Sequence, residues 1–187
     1  MDKAVVLFSG GIDSTVLLWW AKEKWDCICL SFNFPGRRQQ EIIAEKKLLQ
    51  VAQVQTSYHI DLPFIHSPKA SQACYIPNRN LMYYSTAASL AEQVGSQMIF
   101  GGHICHDGDV FPDAHSLFFE QFENLIQHSG RLSIQLKFPF IQKQKKDVIA
   151  LGHNLNVPFQ WVWSCSHDVQ EHCWRCNSCI ERKSGFN

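Results

Sequence analysis

Ala4-Val5-Val6-Leu7-Phe8-Ser9-Gly10-Gly11-Ile12-Asp13-Ser14-Thr15 carries an apolar run through a glycine pair and straight into a second apolar segment. Ala4 to Phe8 is short and unbroken, the pattern of a strand covered on both faces in a parallel sheet. Val16, Leu17, Trp19, Trp20 and Ala21 give the next segment the coverage of a buried helix before Lys22, Glu23 and Lys24 turn polar, and Asp13 or Ser14 is suited to cap it. Between the two, Gly10 and Gly11 permit a tight turn, let the chain approach a ligand closely, and leave amide hydrogens at a helix N-terminus. The corner predicts an anion site of the kind that holds phosphate. It is neither G-x-x-x-x-G-K-[ST] nor G-x-G-x-x-G.

Downstream, strand and helix signals alternate. Cys27 to Phe32 reads as a second buried strand, Glu41 to Ala52 as a helix, and Gln55 to Ile60 as a third strand. An irregular stretch with three prolines runs from Leu62 to Pro77, then a helix from Leu81 to near Gly95. Met98 to Phe100 is a fourth strand closed by Gly101-Gly102, Leu117 to Gln127 a helix, Leu132 to Leu136 a fifth strand, and Lys145 to His153 a helix that stops before Pro158. The alternation predicts an α/β fold, a Rossmann-like parallel sheet with right-handed crossovers. In such sheets ligands collect at the carboxyl ends of the strands where strand order reverses, and the Ser9–Ser14 loop is expected there.

The chain has 187 residues, 45% of them hydrophobic, which suits one domain with a well-buried core and a small appendage. Its formal charge is zero with no long run of one sign, which argues against general electrostatic attraction to nucleic acid or an anionic membrane and favours a small-molecule substrate. No segment approaches eighteen consecutive apolar residues and no secretory signal pattern is seen, so a cytoplasmic protein is expected.

Of eight cysteines, Cys27 and Cys29 fall in an apolar strand and read as small buried hydrophobes, while Cys74 and Cys105 have no evident role. The other four stand as C-x7-C-x2-C-x2-C: Cys165, Cys173, Cys176 and Cys179. Four thiolates so spaced suit a closed, structural Zn2+ site presented from turn-like loops, with His167 and His172 as alternative ligands and Arg175, Arg182 and Lys183 near enough to offset its charge. Sulfur-only coordination also accommodates an iron–sulfur cluster. The change in character near Trp163 divides the chain into a domain of residues 1–160 and a C-terminal metal-binding subdomain of residues 161–187.

Ser-Gly-Gly-x-Asp-Ser resembles the PP-loop of the ATP pyrophosphatases, which cleave ATP between its α and β phosphates to activate a substrate as an adenylate. Joined to Ile76-Pro77-Asn78-Arg79-Asn80-Leu81, to Pro139, Gln144-Lys145 and Leu151-Gly152, and to the cysteine quartet, it makes nearly the whole chain similar to the QueC family, the 7-cyano-7-deazaguanine synthases. The resemblance implies an adenine nucleotide α-hydrolase-like domain with a small zinc subdomain, commonly a homodimer. It implies an ATP-dependent ligase that converts 7-carboxy-7-deazaguanine and ammonia to the nitrile, with Mg2+ as cofactor. It places Ser9, Gly10, Gly11, Asp13, Ser14 and Thr15 on ATP, Asn80 beside the nucleotide, Asp13, Arg79 and Lys145 in catalysis, and zinc on Cys165, Cys173, Cys176 and Cys179. From the residues alone, Arg79 and Asn80 equally suit a helix start and Lys145 a solvated first turn.

Two stretches depart from the family pattern. After the fourth strand the chain reads Gly101-Gly102-His103-Ile104-Cys105-His106-Asp107-Gly108-Asp109-Val110-Phe111-Pro112-Asp113, where the family has G-V-N and an aromatic-rich segment bordering the base pocket. His103, Cys105, His106, Asp107 and Asp109 are candidates there for acid–base, metal or heterocycle-recognising roles. Asn33-Phe34-Pro35-Gly36-Arg37-Arg38 keeps only Arg37 at the family's basic place. These departures bear on the acceptor more than on ATP. The resemblance therefore also admits a relative that stops at the amide or joins the activated deazaguanine to another amine. Rival readings are a PP-loop RNA-modifying enzyme, which needs a basic surface, and a non-enzymatic zinc module, which needs no PP-loop.

Overall fold

β1 (Lys3–Leu7) is the central strand of a five-stranded, wholly parallel sheet in the computed structural model, which describes residues 1–65 and 75–187. Beside it lie β2 (Asp26–Asn33) and then β3 (Thr56–Asp61) on one side, β4 (Met98–Phe100) and β5 (Gln135–Lys137) on the other, giving the order β3-β2-β1-β4-β5. The register Val5↔Ile28 and Val5↔Ile99 puts apolar residues opposite one another through the centre. Successive strand residues face opposite layers. Ala4, Val6 and Phe8 pack with α1 (Ile12–Ala21), α2 (Gln39–Ala52) and α6 (Lys145–Asn154), while Val5, Ile28, Leu30 and Ile99 pack with α3 (Arg79–Val94) and α5 (Ser116–Ser129). Both faces are thus covered, which is why β1 and β2 read as unbroken apolar runs.

Strand order turns back between β1 and β4, since the chain first builds outward through β2 and β3 and then returns to start again at β4. In sheets of this kind ligands collect at that point, beyond the carboxyl ends of the strands. The Ser9–Ser14 loop follows β1 and Gly101-Gly102 follows β4, as the alternation predicts. The two approach closely: a Cβ at Gly102 would stand 3.1 Å from the Asp13 carbonyl carbon and the Ser14 nitrogen.

Several boundaries differ from expectation. The fifth strand begins at Gln135 instead of Leu132, because the Gln127 side chain takes the Ile134 carbonyl (2.6 Å) and Glu92 takes the Arg131 N–H (2.9 Å), holding that stretch in a turn until Gln135 pairs with Met98. Neither Asp13 nor Ser14 caps α1; Gly11 is the N-cap, and the Ser14 and Thr15 hydroxyls turn back to its carbonyl (3.2 and 2.7 Å). A one-turn helix, α4 (Asp107–Val110), and a tail helix, α7 (Asn177–Phe186), were not expected. Cys27 and Cys29 are buried in the sheet, as expected. Cys74 and the middle of the proline-bearing stretch lie outside the described residues. Among the described residues no helix is long and apolar enough to cross a membrane.

Candidate functional site

The loop after β1 is wrapped so that its carbonyls turn inward to the protein. The Ser9 carbonyl accepts from Arg37 Nη2 (3.2 Å), that of Gly10 from the Trp163 N–H (3.2 Å), and that of Gly11 from the Thr15 N–H (3.0 Å) as well as the two hydroxyls above. Gly10 has φ +80°, a conformation side chains resist, and a Cβ there would sit 2.8 Å from the Glu45 nitrogen. Glycine lets α2 pass directly under the loop. Ser9 and Ser14 face each other, Oγ to Oγ at 3.1 Å, at the start of α1, where the first backbone N–H groups of a helix have no partner within the helix.

Asp13 in that first turn meets Lys145 in the first turn of α6, Nζ to Oδ2 at 2.5 Å. The second carboxylate oxygen, Oδ1, is buried without a hydrogen-bond partner among the described residues. Burial pushes the Asp13 carboxyl above its ordinary range, against the charge and hydrogen bond of Lys145, and Asp107 pushes the same way. An orphaned buried oxygen beside a lysine suits a carboxylate meant to share a cation with phosphate. Lys145 is therefore not a solvated first-turn residue.

Arg79 joins a different group, with its guanidinium 5.6 Å from the Phe111 ring centroid and its charge acting on Glu41 and Tyr83. Asn80 is buried; its backbone N–H donates to Asp113 Oδ2 (2.8 Å) and its amide to the Asp113 carbonyl (2.9 Å), fixing the start of α3 to the Pro112–Ala114 turn. In the loop after β4, His103 lies between the Tyr84 hydroxyl (2.9 Å) and Asp107 (3.4 Å). Burial alone would raise Asp107, but hydrogen bonds from His103 and the Ile104 N–H, with the charges of His103 and Lys145, hold it below the usual value. Gly101 makes room for this arrangement, since a Cβ there would overlap the Tyr84 hydroxyl at 1.9 Å. His106 faces the exposed Asp109 (3.4 Å), and Cys105 is held by its backbone, N–H to the Lys143 carbonyl (3.1 Å).

The tail gathers its ligand-bearing residues. One donor atom each of Cys165, His167, Cys173 and Cys176 falls within 4.8 Å of the others, and Cys179 Sγ is 3.9 Å from Cys173 Sγ. Sulfurs around a tetrahedral zinc stand about 3.8 Å apart, so the donor set fits zinc. The Arg175 N–H draws the Cys173 thiol down to about 5, whereas burial pushes Cys179 up to about 12. Cys176 is the N-cap of α7 and Cys179 lies in its first turn, so half the quartet is offered by a helix end and not by turn-like loops. His172 instead accepts from the Ser164 N–H (3.3 Å) and stacks on Trp163.

The model of the queuosine biosynthesis protein QueC family matches residues 3–187. The chain belongs to the QueC family. Relatives called 7-cyano-7-deazaguanine synthase include one from a Nitratiruptor species, 31% identical with 98% of this chain and 93% of the relative covered, and one from Nautilia profundicola, 30% identical with 100% and 94% covered. Solved structures similar in fold include NMN synthetase from Francisella tularensis (TM-score 0.57, 15% identity, covering 92% of this chain and 70% of that one) and a predicted subunit of tRNA methyltransferase from Methanocaldococcus jannaschii (TM-score 0.55, 17% identity, 82% and 75%).

Two contacts to the loop of this QueC-family protein escape a reading of the sequence, one from the Arg37 side chain and one from the Trp163 backbone. Arg37 was noted only as basic, yet it is buried, paired with Glu45 and Glu41, and bonded to Phe32 and Asn33 as well as Ser9. Trp163 reads as the start of the tail and of its Trp-Ser-Cys motif, yet its backbone N–H also reaches the Gly10 carbonyl of the loop after β1. The signal for Arg37 was its place at the end of β2, where carboxyl-end ligands collect; Trp163 gave none.

Proposed function

We propose that this enzyme activates a 7-deazaguanine carboxylate with ATP and replaces the activated oxygen with nitrogen, the 7-cyano-7-deazaguanine synthase reaction. The observation that carries this reading is the Asp13–Lys145 pair set over the inward-turned loop at the point where strand order reverses. The loop amides, Ser9 and Ser14 would hold the ATP phosphates, and Asp13, with its unpartnered Oδ1, would help hold a Mg2+ that would offset their charge.

A substrate carboxylate oxygen attacks the α phosphorus and pyrophosphate leaves, giving an acyl-adenylate. Hydroxide is a poor leaving group and AMP a good one, so ammonia can then add to the acyl carbon, lose a proton and expel AMP to form the amide. The amide oxygen then attacks the α phosphorus of a second ATP, pyrophosphate leaves and the nitrogen loses one proton; loss of AMP and the second N–H proton leaves the nitrile. Lys145 stabilises negative charge at phosphorus, with Arg79 beside the nucleotide or carboxylate and Asn80 holding Arg79 in place. Thr15 supports the loop from behind. The tail, as a subdomain of residues 161–187 after a catalytic domain of residues 1–160, holds a structural Zn2+ on Cys165, Cys173, Cys176 and Cys179, with His167 within reach of the same centre. We place the enzyme in the cytoplasm as a homodimer, by likeness to the family.

The test is to supply the purified protein with Mg2+, ATP, ammonium and 7-carboxy-7-deazaguanine, and to follow pyrophosphate and product mass. Nitrile is expected. Accumulation of amide or a conjugate with another amine favours the second reading, to which the altered 101–113 segment points; absence of pyrophosphate release overturns both. Metal analysis distinguishes zinc from iron–sulfur.

A further inference from the structure

A trans peptide points its C=O and the following N–H in opposite directions, so whatever holds a loop carbonyl also aims the next amide. Arg37 on the Ser9 carbonyl aims the Gly10 N–H, Trp163 on the Gly10 carbonyl aims the Gly11 N–H, and Thr15 with Ser14 on the Gly11 carbonyl aims the Ile12 N–H. The middle strut alone comes from the tail. Trp163 lies two residues before Cys165, its indole N–H donates to the Cys165 carbonyl (3.0 Å), and its ring rests on His172 at 4.4 Å between centroids. The rest of the segment is braced from both sides: Arg182 of α7 donates to the Val162 carbonyl and Ser164 Oγ (both 3.3 Å), and Arg38 Nε, before α2, donates to the Ser166 carbonyl (2.9 Å).

We infer that the metal centre positions the phosphate loop: by fixing Cys165 it fixes the Trp163 N–H, which orients the Gly10–Gly11 peptide so that the Gly11 amide faces a phosphate oxygen. The inference rests on the phosphate-site reading of Ser9–Ser14 and extends the role of the cysteines from holding the tail to setting nucleotide affinity. At present the Gly11 N–H makes only a long contact with Ser9 Oγ (3.4 Å), which a phosphate oxygen displaces. Trp163 is a positioning residue and touches no substrate.

Trp163→Pro removes the N–H, and Val162 already has the extended backbone (φ −80°, ψ 128°) that a following proline requires. Trp163→Ala keeps the N–H and removes the ring with its hydrogen bond to the Cys165 carbonyl, a loss that Trp163→Pro shares. Both variants, metal-loaded and checked for metal stoichiometry, are titrated with pyrophosphate and a non-hydrolysable ATP analogue. Trp163→Pro is expected to bind roughly tenfold more weakly than Trp163→Ala, the worth of one well-placed hydrogen bond. The chelated parent, with its secondary structure checked by circular dichroism, is expected to show a similar loss and faster hydrogen exchange at Gly11. Equal affinity of the two variants, or tight binding by the chelated parent with Gly11 still protected, overturns the coupling alone. Failure of the loaded parent to bind either ligand overturns the phosphate-site reading, and the coupling with it. Should Trp163→Pro not fold, the chelated parent decides.

Discussion

In the Ser9–Ser14 corner the working groups are backbone amides, placed by a strand, a glycine turn and a helix; in the Cys165–Cys179 cluster they are side chains drawn from a loop and a helix end. The first is organised by elements that pack on both faces of the sheet. The second brings one donor atom each of Cys165, His167, Cys173 and Cys176 within 4.8 Å of one another, a donor set that could hold a metal ion. The difference teaches that one small enzyme can place backbone amides with its sheet in one region and gather thiols from a segment that owns little core in another.

Breaking the corner should cost activity first. Asp13→Asn is expected to slow pyrophosphate release roughly 10²- to 10³-fold in a steady-state assay while metal content stays unchanged, the effect of removing one preorganised charge partner. Breaking the cluster should cost stability first. Cys176→Ser is expected to lose the metal and lower the unfolding free energy by about 3 kcal/mol in urea titrations, with the tail becoming protease-sensitive before the sheet.

A glycine pair sharpens the contrast. Gly10→Ala must hold a side chain at φ +80° with its Cβ 2.8 Å from the Glu45 nitrogen, whereas Gly95→Ala has a similar φ of +72° and nothing within 4 Å. The first should destabilise by about 3 kcal/mol and weaken phosphate binding, the second by about 1 kcal/mol with binding intact, as read by thermal unfolding and calorimetry.

The smallest effect is in pH dependence. Asp13 titrates above 3.8 in the folded protein, so its contribution to stability falls as pH rises from that value through the folded pKa. Asp107 titrates below 3.8, so its contribution is present above that value and is lost as pH falls through the folded pKa. Asp13→Asn should therefore steepen the rise of stability with pH above 3.8, and Asp107→Asn should flatten the fall below it, in denaturant midpoints measured across that window.

What could be read from the chain followed how local the cause was. The β1–loop–α1 corner was legible because a buried strand, two glycines and an apolar helix lie within twenty residues, and the quartet was legible from spacing. The struts on the Ser9 and Gly10 carbonyls were not, because Arg37 and Trp163 reach them only through tertiary packing. α7 was missed because its polar sequence shows little periodicity; Cys179 and Arg182 tie it down where apolar burial does not. The fifth strand started late because side chains of α5 and α3 took its first backbone groups. Asn80 looked like a ligand-facing residue, yet its amide hydrogen-bonds inward to Asp113.

Asp13 and Lys145 stand 132 positions apart in the chain, and the strut on Gly10 comes later still, from Trp163. During synthesis the loop's own residues are made long before its charge partner and its brace. A chain cut between α5 and α6 is therefore expected to display the turn without its charge partner or its brace.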